Sequence, residues 1–297
     1  MATTTDFNVG GITANVNAQS INFADGTVQS TAAGVGPNGS QFLAVRSKAV
    51  FVDGSRSDTY VADGTVLKPF KTITAAVNQV IANGDNTPAV PYCITVLAPG
   101  VYHETVDLGN AAIVNLSIEG PGTGPGSCSA AVDAIQSIAN NDQQSFLCFK
   151  NLNIGTLTMT GASNGTNFGS SDCTFLFCQV GSVVFTNCGS PGFVTCKLIS
   201  TASFINVGSG YLEASSIESG ALLLTTQAGN TPAGFGGTFV LIENSRVSAN
   251  ITLMGSGTEL EALFSTLGKL DGSTTITSPA GTTLVTKASY VKGTFVA

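Results

Sequence analysis

The stretch TCKLIS, residues 195–200, contains the pattern that decides the fold. In it a small residue, Cys196, is followed two places later by a branched aliphatic residue, Leu198. The pattern recurs, with Cys or Ser first and Val, Leu or Ile third, at Cys178-Gln179-Val180, Ser215-Ser216-Ile217, Ser245-Arg246-Val247, Ser265-Thr266-Leu267 and Ser289-Tyr290-Val291. The steps between first positions are 18, 19, 30, 20 and 24 residues, and we interpret AGNTPAGFGG (228–237), inside the longest step, as a loop insertion.

Alternation along a strand places the first and third residues on one face and the middle residue on the other. A repeat of about 20 residues is too short for a propeller blade, which takes about 40. It fits one turn of a β-solenoid, in which equivalent strands stack about 4.8 Å apart and like residues form columns. Two earlier stretches, Leu116-Ser117-Ile118 and Leu152-Asn153-Ile154, follow the same rhythm loosely.

Composition limits the classes of function. Only 10% of the 297 residues are charged, 35 are Gly, and the net charge is −7 without a basic cluster. Binding of nucleic acid phosphates requires Lys and Arg, so no nucleic-acid partner is expected. The longest strongly apolar run, Ala221 to Leu224, is far shorter than the roughly 20 residues of a membrane span, and the first residues show no signal peptide, so no membrane partner is expected either.

Seven cysteines are present, at positions 93, 128, 148, 173, 178, 188 and 196. None forms a C-x-x-C pair and there is one His, so no zinc site or other metal site is expected. Cys178 and Cys196 share a position in the repeat. They are therefore either reduced thiols in a core column or close enough for a disulfide.

One amphipathic helix is predicted in KPFKTITAAVNQVIANG (68–84), with Pro69 in its first turn and Asn83-Gly84 as its stop. Its apolar stripe consists of Ile73, Ala76, Val77, Val80 and Ile81. The next stretch, YCITVLAPGVYHETVDL (92–108), predicts a strand, a Pro-Gly turn and a second strand. Because a solenoid exposes core at its ends, we expect the stripe to cover the columns that begin with Val96 and Val106.

These segments resemble the opening of pectin-lyase-like right-handed parallel β-helix proteins, whose helix caps the N-terminal end. The matching residues are Asp63, Gly64, Thr65, Pro69, Phe70, Thr72, Ile73, Ala76, Val77, Val96, Ala98, Pro99, Gly100, Tyr102, Glu104 and Val106. The resemblance covers about residues 50–120. It implies an all-β chain folded as a single-stranded right-handed parallel β-helix with one N-terminal capping helix, with the cap and first coil in 46–120 and further coils in 121–297.

A second resemblance lies in INFADGTVQSTA (21–32), which is similar to an F-x-D-G-T-x-Q-(S/T) segment of phage tail fibres and other virion proteins. The match rests on Phe23, Asp25, Gly26, Thr27, Gln29 and Ser30. Asp25-Gly26 favours a two-residue type I′ turn, which would place Phe23 opposite Val28. Residues 1–45 are accordingly expected to form an extended or hairpin arm for virion attachment or oligomerisation.

Candidate catalytic groups are few. Lyases of the resembled family use clustered Asp with Ca²⁺ and basic residues, which this chain lacks, so no catalytic residue and no cofactor is expected. The best alternative is Glu213 and Glu243, which share a register and could titrate as a pair, or could simply be solvated. His103, the single His, is expected to be a polar surface residue.

The combined expectation is a non-enzymatic structural component of a phage particle, assembled in the host cytoplasm and located in the virion. It would be a homotrimeric tail fibre, tailspike, head fibre or capsid decoration, bound to other virion proteins through residues 1–45. The alternative is a tailspike-type polysaccharide depolymerase acting on host surface glycan, which is also a candidate partner for a passive fibre.

Overall fold

A computed structural model describes the backbone and side chains of residues 48–122, 127–138, 146–161, 173–227, 236–269 and 271–296. It also describes the backbone of residue 172 and of four strands near the start of the chain. The chain divides into two compact units, Met1–Arg46 and Ser47–Ala297.

The first unit contains a four-stranded antiparallel sheet of β1 (Thr5–Val9), β2 (Ile12–Asn17), β3 (Ser20–Asn22) and β4 (Val28–Gln29), in that order. Strands β3 and β4 pair Asn22 with Val28 and Ile21 with Gln29. The expected pairing of Phe23 with Val28 is therefore wrong by one residue. Phe23, Asp25, Gly26 and Thr27 themselves lie outside the described residues.

The second unit contains one helix and the remaining strands. In chain order these are β5 (Lys48–Val52), α1 (Ile73–Asn83), β6 (Tyr92–Val96), β7 (Gly100–Asp107), β8 (Asn115–Glu119), β9 (Ala130–Ile138), β10 (Phe146–Lys150), β11 (Leu152–Thr160), β12 (Asp172–Leu176), β13 (Gln179–Thr186), β14 (Gly192–Val194), β15 (Lys197–Leu198), β16 (Ala202–Ile205), β17 (Gly210–Glu213), β18 (Ser216–Ile217), β19 (Ala221–Thr225), β20 (Phe239–Glu243), β21 (Arg246–Val247), β22 (Asn250–Met254), β23 (Glu259–Leu263), β24 (Thr266–Leu267), β25 (Thr275–Thr277), β26 (Thr283–Lys287), β27 (Tyr290–Val291) and β28 (Thr294–Val296).

Ten of these strands form a parallel sheet in the order β5-β6-β8-β10-β12-β14-β17-β20-β23-β26, which we call the first sheet. One column of its core-facing residues is Val50, Ile94, Ile118, Phe149, Phe175, Phe193, Leu212, Ile242 and Ala262, all buried. The ring of Phe175 stacks on those of Phe149 and Phe193 with centroid distances of 4.8 Å on both sides. Stacking of like residues at strand spacing is what parallel in-register pairing produces.

The other strands form a second parallel set. The long strands β7, β9, β11 and β13 pair in that order, and beyond β13 each repeat contributes two shorter strands. Strands β15, β18, β21, β24 and β27 continue the first half of β13, and β16, β19, β22, β25 and β28 continue its second half. A repeat therefore supplies three strands, one to the first sheet and two to this set.

The repeat seen in the sequence is a structural repeat. Its third residues pair successively through Val180, Leu198, Ile217, Val247, Leu267 and Val291. Ile154 pairs with Val180, so Leu152-Asn153-Ile154 belongs to the same series. The assignment of Leu116-Ser117-Ile118 to it is wrong, because these residues lie in β8 of the first sheet. Alternation of buried and exposed residues occurs in any half-buried strand and does not identify the sheet.

The helix begins later than expected. Thr72 is its N-cap, with Oγ1 accepting a hydrogen bond from the Ala75 N–H at 3.1 Å, and Pro69 precedes it, so the expectation of Pro69 in the first turn is wrong. Gly84 ends the helix in the left-handed conformation at φ 67°. Ile73, Val77 and Val80 are buried and Ile81 is half-buried against the core, where the helix contacts β5, β6 and β7.

The described residues confirm a mainly β chain with parallel sheets and a single helix near the start of the second unit.

Candidate functional site

In each repeat the chain turns sharply between its strand in the first sheet and its next strand, and we call this turn the corner. The residue at the corner has a left-handed backbone, with φ between 47° and 55°, at Phe177, Thr195, Ala214, Asn244, Phe264 and Ala288. A single left-handed residue turns the chain sharply between two extended segments. The next residue in each case is the Cys or Ser that begins the repeated pattern.

These Cys and Ser residues are hydrogen-bonded to one another's backbone, and we call Cys178, Cys196, Ser215, Ser245, Ser265 and Ser289 the corner ladder. The Oγ of Ser245 accepts from the Ser215 N–H at 2.9 Å and donates to the Glu243 carbonyl at 2.7 Å. The same acceptor contact recurs from Cys196 N–H to Ser215 Oγ at 2.9 Å and from Ser265 N–H to Ser289 Oγ at 3.1 Å. The ladder thus satisfies buried backbone groups that the sharp corner leaves without strand partners.

The two cysteines of the ladder make the same contacts with sulfur. The Sγ of Cys196 accepts from the Cys178 N–H at 3.3 Å and donates to the Phe175 carbonyl at 3.2 Å. The hydrogen bond with Cys196, followed by burial, raises the pKa of the Cys178 thiol, and burial raises that of Cys188 to about 12. All seven cysteines lie in the described residues and are thiols. Buried thiols of this kind are poor nucleophiles and poor metal ligands at neutral pH.

Glu213 and Glu243 lie in adjacent strands of the first sheet and are paired in register. Glu213 is exposed and Glu243 is half-exposed, and neither carboxylate has a hydrogen-bond partner among the described residues. The register places the two carboxylates side by side on neighbouring strands. The described neighbours in the same row are Val194 and Leu263, which provide no donor for a substrate.

A shallow cavity of about 470 Å³ runs along the outside of the corner. Lys197, Ser216 and Arg246 line it in three successive strands, and neither cation is paired with another described residue. Two strand spacings separate the cations, or about 10 Å. Phe264, which is 65% exposed, lies at the same cavity. This arrangement could bind a ligand carrying two anionic groups.

A second cavity, of about 340 Å³, lies at the start of the helix and is lined by Pro99, Gly100, Tyr102 and Glu104 of the A-P-G-x-Y-x-E motif. The two oxygens of Glu104 accept hydrogen bonds from the Ile73 and Thr74 N–H groups, each at 2.8 Å. The Tyr102 hydroxyl donates to the Ala98 carbonyl at 3.2 Å and accepts from the Gly54 N–H at 3.3 Å, and burial raises its pKa. Glu104 thus fixes the helix to β7, and Tyr102 joins β7 to Gly54 and Ala98. The sequence motif alone did not reveal these roles.

His103 lies at the same cavity with its side chain exposed. Its Nδ1 is 3.2 Å from Oδ2 of Asp133. No described hydroxyl or thiol is hydrogen-bonded to the other ring nitrogen, so the pair is not a base poised against a nucleophile.

The D-G-T residues are also structural. Oδ1 of Asp63 accepts from the Thr65 hydroxyl at 2.7 Å and from the Thr65 N–H at 3.0 Å, and these bonds lower the pKa of Asp63. Gly64 has φ 80°, and a Cβ there would meet the Phe70 ring at 2.8 Å. The turn therefore requires glycine for both conformation and space.

Within the described part of the chain, no three His, Cys, Asp or Glu side chains lie close enough together to bind a metal ion. No helix in that part has the length and hydropathy needed to span a membrane.

Comparison with known proteins identifies no relative: no family model, no curated protein and no solved structure matches the chain significantly.

Proposed function

We propose that residues 46–297 form a right-handed parallel β-helix capped by α1, and that the chain is a non-enzymatic structural component of a phage particle. The observation that supports the β-helix is the register. Val180, Leu198 and Ile217 stack in successive repeats of one column, while Phe175, Phe193 and Leu212 stack in the column of the first sheet. The corner ladder joins these two columns in every repeat from Cys178 to Ser289.

The arrangement of polar side chains supports a passive role. Glu213 and Glu243 face solvent without a described donor, and no described hydroxyl or thiol is hydrogen-bonded to the exposed His103 ring. The side chains that converge most closely, Glu104 and the corner ladder, have all their contacts with backbone groups of the chain itself. These contacts stabilise the fold and occupy the polar atoms of Glu104 and the corner ladder.

The phage context is supported by the F-x-D-G-T-x-Q segment around Phe23, Asp25 and Gly26. Residues 1–45 would join the chain to other virion proteins, and three copies would form a tail fibre, tailspike, head fibre or capsid decoration. Mass spectrometry of purified particles tests this proposal. The full chain should be present, and a chain lacking residues 1–45 should fold but be absent from particles. Absence of the full chain would refute the virion role.

The alternative function is a glycan depolymerase, and the register of Glu213 and Glu243 favours it because it places two carboxylates side by side. Release of reducing sugar from host capsule or lipopolysaccharide should be compared between the natural chain and the variant Glu213→Gln/Glu243→Gln. Glu259→Gln, also on the first sheet, is the matched control. Activity that disappears only in the double variant would establish the enzyme, whereas no activity in any of the three would reject it.

A further inference from the structure

The outer faces of the second unit differ in charge. On the first sheet, the outward row from Glu119 to Lys287 contains five charged residues, Glu119, Lys150, Glu213, Glu243 and Lys287. The outward row of the corner strands contains Lys197 and Arg246. Charged side chains are therefore distributed along both of these faces.

The outward rows of the remaining strands contain a charged residue only at their start, where the exposed Asp107 of β7 is paired with Gln136 of β9, and they contain none from Gln136 onward. We define the uncharged face as the outward residues of eight strands. These strands are the second halves of β9, β11 and β13, together with β16, β19, β22, β25 and β28. One row runs in register from Gln136 to Val296 and a second from Ile138 to Met254. Both rows consist only of Thr, Ser, Gln, Val, Leu, Ile and Met.

Several apolar side chains of this face are exposed to solvent, and an interface would bury them. Ile138 is 48%, Val184 37%, Met254 43% and Val296 46% exposed. The Thr and Val residues between them are β-branched and already restricted in χ1, so they lose little side-chain entropy on contact. A surface of this composition favours association over solvation.

We propose that the uncharged face is the surface along which copies of this chain pack against one another. The occupant is a second copy because the face carries no charge to attract an oppositely charged partner. An uncharged face can also meet another copy of itself around a symmetry axis without like-charge repulsion. The inference rests on the proposed trimer and identifies the surface that it uses.

The size of the face agrees with this role. Eight strands stacked about 4.8 Å apart, each with three to five residues at about 3.3 Å, cover roughly 550 Å² per chain. A stable interface takes about 800 Å² from each partner. The uncharged face therefore supplies most of the area that a lasting association needs.

Native mass spectrometry of the full chain tests the proposal with two substitutions, Thr158→Lys and Thr252→Lys, on separate strands of the face. Thr174→Lys is the matched control, because Thr174 is similarly half-exposed but lies on the outward side of the first sheet. We expect the natural chain and the control to be multimers. Each face variant should raise the dissociation constant at least about a hundredfold, since an unpaired Lys would be buried in every copy.

A thermal melting curve for each variant distinguishes dissociation from unfolding. If one face variant fails to fold, the other face variant is compared with the natural chain and the control. A monomeric natural chain would overturn the proposal, as would face variants that keep the multimer or a control that dissociates equally. The outcome is independent of the virion role. If the chain is found in particles but associates through another face, the virion role stands and the proposed surface is rejected. If the chain is absent from particles but the face variants are monomeric, the proposed surface stands and the virion role is rejected.

Discussion

Glu104 caps a helix that begins 31 residues earlier in the chain, with its Oε1 2.8 Å from the backbone nitrogen of Ile73. Its second oxygen accepts from the N–H of the next residue at the same distance. One carboxylate thus satisfies two of the N–H groups that every helix start leaves unpaired, and it joins the helix to the strand beneath it.

Removal of this cap should destabilise the second unit. Glu104→Ala should lower the free energy of unfolding by about 2 kcal/mol, because two half-buried N–H groups lose their acceptors. Glu104→Gln keeps one oxygen acceptor and should cost about half as much. Urea denaturation measures both, with Glu259→Ala, a carboxylate without a described partner, as the control. A Glu104→Ala cost no larger than that control would show that the cap contributes nothing.

The corner ladder predicts that Ser and Cys are interchangeable at its positions but that Ala is not. Ser245→Ala removes the acceptor of the Ser215 N–H and should cost about 1–2 kcal/mol. Cys196→Ser should stay within about 1 kcal/mol of the natural chain, since Ser makes the same contacts in the following repeats. Ser216→Ala, on the outward side, should change stability by less than about 0.5 kcal/mol. Equal costs for Ser245→Ala and Ser216→Ala would contradict the ladder.

The left-handed corners predict a stabilising substitution. Ala214 has φ 47°, a conformation that costs ordinary residues about 1–2 kcal/mol and that Asn tolerates better. Ala214→Asn should therefore raise the free energy of unfolding by about 0.5–1 kcal/mol, measured by thermal melting. Ala131→Asn, on an extended strand, should give no gain because Asn is disfavoured there. A loss of stability in Ala214→Asn would contradict the assignment of the corner.

The buried thiol of Cys188 predicts a loss of stability at alkaline pH. Its pKa is about 12 in the folded chain, against about 8.5 for an unfolded cysteine. Between these values the unfolded chain loses this proton and the folded chain keeps it. The contribution of this protonated thiol to the free energy of unfolding is therefore complete below about pH 8.5. It is lost as the pH rises, at about 1.4 kcal/mol per pH unit.

Cys188→Ser removes the titrating group while keeping a donor for the Met159 carbonyl. Urea denaturation between pH 8 and 11 should show a shallower decline in the variant than in the natural chain. Parallel declines would show that Cys188 does not carry the effect.

The column of third residues, such as Val180 and Leu198, could be predicted from sequence because a strand alternates with period two and stacked repeats place like above like. The corners could not be predicted by residue type. The corner residues, such as Phe177, Thr195 and Ala214, share only their position directly before a ladder residue. That position was the one sequence signal for a left-handed corner.

The function of the ladder was also hidden from sequence. Cys196 and Ser215 are small enough to be interpreted from sequence as residues that only fill the core. The structure shows that their side chains accept hydrogen bonds from backbone N–H groups. The same limit applies to Glu104, which matches a motif but caps a helix distant in sequence. In the first unit, the Asp25-Gly26 pair suggested a register that the observed pairing of Asn22 with Val28 corrects.

The most direct test of the proposed function is quantitative mass spectrometry of particles purified from cells that express the gene from its native genome. We expect the full chain in a fixed ratio to the major capsid or tail protein. A version lacking residues 1–45 should remain folded in the lysate, with an unchanged melting transition, but be missing from particles. Particles that lack the full chain, or that contain the truncated chain in the same ratio, would contradict a virion component anchored by its N-terminal arm.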